Sequence, residues 1–127
     1  MKKTIIISAI ALCFSITTIN AKSINHNTKD YSIETVLQVS PFCVSIAKGD
    51  MDTVKKLIDL GVDVNKKSNG MTPLMYAAKF NRTDILKLLI SKGAKLKVKC
   101  NRGLTAVKYA KQSNAKEALA ILEEALR

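Results

Sequence analysis

The sequence predicts an all-α repeat protein, a solenoid of about three helix–turn–helix units joined by extended turns. Two echoes and one shared offset predict it. The stretch "GMTPLMYAAKFN" (70–81) returns thirty-three residues later as "GLTAVKYAKQSN" (103–114), identical at Gly, Thr, Tyr, Ala and Asn. A looser copy, "SPFCVSIAKG" (40–49), precedes it by thirty-two residues, with Ser40 for Thr72, Pro41 for Pro73 and Gly49 for Asn81. Behind each copy the offset persists. "MDTVKKLIDLGVDVN" (51–65) lies over "TDILKLLISKGAKLK" (83–97), so Asp52 answers Asp84, Leu57 answers Leu89 and Gly61 answers Gly93.

The repeats do not reach the N-terminus. Residues 1–21, "MKKTIIISAIALCFSITTINA", run from two lysines through an uncharged apolar stretch (Ile5 to Ile16) to a polar end closed by Ala21. The apolar part is too short to cross a ~30 Å hydrocarbon core as a helix. It has the make-up of a secretory signal peptide, with cleavage expected after Ala21. The product would be periplasmic or secreted, with no stable membrane insertion after cleavage. Losing Lys2 and Lys3 lowers the formal charge from +11 to +9. That excess favours an acidic partner or an anionic surface and says nothing about fold.

Residues 22–39 follow as a polar leader and irregular N-terminal arm. "KSINHNTKD" (22–30) has no hydrophobic period, and "YSIETVLQV" (31–39) is β-rich with imperfect alternation. His26, the chain's one histidine, lies in this leader. A Ser–His–Asp or Cys–His site needs an imidazole held rigidly beside its nucleophile. No CxxC, HExxH or Gly-rich phosphate loop occurs, so no cofactor or metal and no enzyme is expected.

The repeat domain is expected over 40–127, with units at about 40–69, 70–102 and 103–127. In each, Ser or Thr (Ser40, Thr72) caps a helix, and Pro in the next position has φ already set for the first turn. Leu74, Ala77 and Ala78 make a narrow apolar stripe whose small residues allow close approach. Gly49, Asn81 and Asn114 tolerate the left-handed conformation that ends this helix. A second helix carries Ile85, Leu86 and Leu89 inward. Asp52, Asp84 and Glu117 fall in the first turns of the second helices, where negative charge suits the dipole. Gly61 and Gly93 end the first two of these helices. The third unit has Ala106 in place of Pro, and its polar "AKEALAILEEALR" (115–127) suits a terminal cap.

The period, "MTPLMYAA" and "LLISKGAKL" together resemble the ankyrin repeat, and "GVDVN" nearly repeats that family's terminal turn. The family's His after Pro-Leu is Cys43, Met75 and Lys108 here, so its hydrogen bond between repeats is missing. The resemblance implies a binding surface along the turn tips and first helices, on a concave face. Its contact positions fall on Lys48, Met71, Lys79, Phe80, Asn101, Arg102, Leu104 and Gln112. A basic patch of Lys92, Lys95, Lys97 and Lys99 crowds the second turn. Phe80 and Met71 are the least expected exposed residues of the set, and Phe80 is the candidate anchor.

The expected function is an exported, non-enzymatic protein-interaction module that binds an acidic protein partner. Nucleic acid is not expected, because few aromatics interleave the lysines as stacking platforms. The alternative is a periplasmic stress or redox accessory protein that uses a reactive cysteine. A thiol of low pKa separates the two, since an interaction module should have none. Cys43 is expected to be a small core residue, and Cys100 a turn thiol free to pair between chains. Asn81-Arg82-Thr83 is a glycosylation sequon, set aside because the turn itself explains Asn81.

Overall fold

The computed structural model describes residues 39–127. The expected signal peptide, the expected leader with His26 and most of the expected arm lie outside the described residues. Within them the chain is all α. Six helices follow in order: α1 (Pro41–Lys48), α2 (Met51–Asp59), α3 (Pro73–Lys79), α4 (Thr83–Ser91), α5 (Ala106–Gln112) and α6 (Lys116–Ala125). They pair within each unit as α1 with α2, α3 with α4, and α5 with α6. The first helices α1, α3 and α5 then pack side by side in one layer, and α2, α4 and α6 in another.

The local signals act as expected. The hydroxyls of Ser40, Thr72 and Thr105 accept from the backbone N–H groups of Cys43, Met75 and Lys108, at 3.3, 3.3 and 3.4 Å. Each satisfies a donor that the first turn leaves without a helical partner. Gly49, Asn81 and Asn114 are all left-handed, with φ of 80°, 51° and 54°. Asp52, Asp84 and Glu117 stand in the first turns of α2, α4 and α6.

The core lies between the layers. Ile46, Leu74, Met75, Leu86, Leu89 and Leu122 are its largest fully buried side chains. Ala77, Ala78, Ala110 and Ala118 are also fully closed off from solvent, and their small size lets neighbouring helices approach closely.

Asn65, Arg82 and Asn81 are among the side chains that link neighbouring units by hydrogen bonds. Asn65 donates from Nδ2 to the Gly93 carbonyl at 3.1 Å and accepts from Lys95 N at 2.8 Å. Arg82 donates from Nε to the Ala47 carbonyl at 2.9 Å. Asn81 donates from Nδ2 to Glu117 Oε2 at 2.7 Å, while its Oδ1 accepts from Ala118 N at 3.1 Å. These bonds tie each unit to the next, the nearest-neighbour coupling on which a short stack depends.

Candidate functional site

Two turn tips meet in the second half of the stack. Asn101 N donates to the Gly70 carbonyl at 3.2 Å. Gly70 has φ 75°, and a Cβ there would stand 2.7 Å from Asn101 Nδ2. At this left-handed φ any side chain would be strained, and it would also force the Asn101 side chain to shift. Beside them opens a cleft of about 360 Å³ lined by Asn69, Met71, Lys79, Cys100, Arg102 and Tyr109, among others. Two of its lining residues are cations and none is a carboxylate.

A short chain of hydrogen bonds organises the floor. Arg102 donates from Nη2 to the Tyr109 hydroxyl at 3.1 Å, and that hydroxyl donates to Cys100 Sγ at 3.4 Å. The backbone N–H groups of Arg102 and Leu104 also point at the sulfur, at 3.3 and 3.4 Å. Burial pushes the Cys100 thiol up. The Tyr109 hydroxyl, the two backbone donors and the Arg102 charge outweigh it and bring the pKa down to about 7. Hydrogen bonds and positive charge favour the thiolate in this way. Cys43 is the opposite case: buried in α1, its thiol is pushed up by desolvation, which the hydroxyls of Ser40 and Ser68 only partly offset.

The structure separates the expected contact residues. Met71, Lys79, Asn101 and Arg102 come together around the cleft. Phe80 stands next to it, 42% exposed, with Lys79 Nζ 5.5 Å from its ring centroid. Lys48 and Gln112 are exposed at the ends of α1 and α5, and Leu104 is half-buried. Met71 does not present the exposed surface that the sequence suggests. It is 9% exposed, because Ser68 and Met71 exchange backbone hydrogen bonds that fold the turn inward. Cys100 needs a similar correction. It is buried rather than displayed on the turn, since the backbone wraps its sulfur. Lys92, Lys95, Lys97 and Lys99 are exposed, and Lys92 borders a groove with Lys55, Ile58 and Leu88 of the second-helix layer.

Tyr109 is a functional candidate that sequence reasoning passed over. A signal existed, for Tyr76 and Tyr109 occupy the same position in successive units. Each reaches back to the preceding turn, Tyr76 to the Ser68 carbonyl at 3.1 Å and Tyr109 to Cys100. Among the described residues, no group of three or more His, Cys, Asp or Glu is placed to hold a metal ion. Among them, too, no helix is long and apolar enough to cross a membrane.

Comparison with known proteins follows the same lines. Residues 19–125 match the family described as "Ankyrin repeats (3 copies)". An ankyrin repeat protein so named from Rickettsia bellii is 33% identical over 94 residues, covering 68% of this chain and 56% of that protein. A chain of the solved complex of Bd0816, a predatory endopeptidase from Bdellovibrio bacteriovorus, with immunity protein Bd3460 is 36% identical at a TM-score of 0.65. That match covers 68% of this chain and 47% of the other. The human ASB11 ankyrin repeat domain is 26% identical at a TM-score of 0.64, covering 68% of this chain and 39% of that one. The chain spans about half the length, or less, of the relatives it matches.

These findings correct the functional expectation. A purely non-enzymatic module does not stand, because a similar chain belongs to a complex named for an endopeptidase. The exclusion of enzymatic activity falls with it. The cleft supplies a physical reason as well: a thiol with its pKa near 7 is the feature that a simple interaction module should lack.

Proposed function

Since the chain belongs to the ankyrin-repeat family, we propose that it is the ankyrin component of an endopeptidase assembly and grips an acidic segment of the peptidase in the Lys79–Arg102 cleft. The observation that carries this reading is the 36% identity to a chain of the endopeptidase–immunity protein complex. The cleft supports the charge of the partner. Lys79 and Arg102 line it with no carboxylate among their neighbours there, and the exposed Phe80 ring offers an apolar foothold beside them. A cation over an aromatic face holds both in one place, at about 0.5–1 kcal/mol on an exposed surface. Export to the periplasm or beyond belongs to the same proposal and rests on residues 1–21 alone.

A second reading is favoured by the hydrogen-bonded Cys100 thiol, its pKa lowered to about 7, namely that catalysis resides in this chain itself. One experiment separates the two. Casein hydrolysis is followed with the chain alone, with an endopeptidase fraction from the source cell's envelope, and with both. The proposal expects the chain to change the fraction's rate, and Lys79→Glu with Arg102→Glu to abolish that change. An unaltered rate in the mixture overturns it. Hydrolysis by the chain alone, lost in Cys100→Ala, would assign the activity to this chain.

A further inference from the structure

The first unit ends in an open groove. Its volume is about 560 Å³, and Val39, Phe42, Leu57 and Val62 contribute apolar walls, while Lys66 and Lys67 outnumber the one carboxylate, Asp63, in its lining. Helices α1 and α2 pack against α3 and α4 on one side, and no further helix among the described residues packs on the other. Phe42 is nearly buried even so, whereas Leu57 and Val62 are only partly covered. A stack of repeats needs a cap at such an end, or its last apolar face stays wet.

We propose that residues 30–38 of this same chain occupy the groove and cap the stack. Val39 forms part of the wall, so the preceding residues start at the groove itself. The segment reads "DYSIETVLQ", with Tyr31, Ile33, Val36 and Leu37 to cover the apolar wall. Asp30 and Glu34 supply the charge that complements Lys66 and Lys67. The family match begins at residue 19, so the likeness to a repeat pattern extends through this segment. Reach is sufficient: nine residues span up to ~30 Å, and two packed helices present an end only ~20 Å wide. This inference is independent of the endopeptidase reading.

Hydrogen exchange and dye binding on the full chain test it. Parent protein is compared with a Val36→Asp, Leu37→Asp variant, using an anilinonaphthalene sulfonate dye as the probe of exposed apolar surface. The proposal expects the variant to gain dye fluorescence and to lose protection roughly tenfold at Leu57–Asn69, with α4–α6 unaffected as the check on folding. A synthetic peptide of residues 30–39 should displace the dye and restore protection. Equal dye binding and exchange in parent and variant overturn the proposal. So does groove protection that rises with protein concentration alongside a dimer in sedimentation, which would give the groove to a second copy.

Discussion

Cys100 and Cys43 sit in one stack with opposite chemistry. Burial dominates at Cys43, while at Cys100 three donors and a cation overcome it. Iodoacetamide should therefore alkylate Cys100 with a rate that rises to half its maximum near pH 7, while Cys43 stays inert in the folded protein. Peptide mapping against pH reads both. The same shift acts on stability. The folded pKa of about 7 lies below the ordinary thiol value of 9.0, so the fold binds fewer protons than the unfolded chain between them. That stabilisation is fully present above pH 9, and it is lost as pH falls through 7. Urea midpoints of the parent and Cys100→Ser should diverge across that window, and parallel curves would count against the thiolate. Asn81 is the other residue with a specific role. Asn81→Ala removes two hydrogen bonds to α6 and should cost about 1–2 kcal/mol, measured by urea unfolding.

At the scale of elements, the caps and the stripes carry the fold. Leu86 is fully buried in α4, the second helix of the central unit. Leu86→Ala should cost ~2–5 kcal/mol, and a urea melt that overlays the parent would show the register to be wrong. The helices were legible in the sequence because their signals are local. Ser40 or Thr72, then Pro, then a left-handed Gly or Asn lie within one turn of the element they delimit. The links between units were not legible in the same way. Asn65 reaches Gly93, Arg82 reaches Ala47 and Asn81 reaches Glu117 across 28 to 36 residues, so each depends on how the units stack. Met71 failed for a related reason. Whether a turn tip is exposed depends on the backbone pairing of Ser68 with Met71 and on the next tip at Asn101. Four of the eight expected contact residues do surround one cleft, since the period alone puts successive turns side by side.

For the whole molecule, three units leave little spare stability. A small domain holds about 5–15 kcal/mol in all, so loss of one central side chain or one link is felt throughout the stack. Under the proposed function, the stack holds Lys79, Phe80 and Arg102 in a fixed arrangement, and none of the three belongs to the buried core. The measurement that tests the central claim most directly is the binding kinetics of the proposed endopeptidase partner to three proteins at two salt concentrations. These are the parent, Phe80→Ala, and the Lys79→Glu, Arg102→Glu double variant. Phe80→Ala should chiefly speed dissociation at either salt. The double variant should chiefly slow association, with the loss shrinking as added salt shortens the Debye length below ~10 Å. If both variants associate and dissociate like the parent, the cleft is not where the peptidase is held.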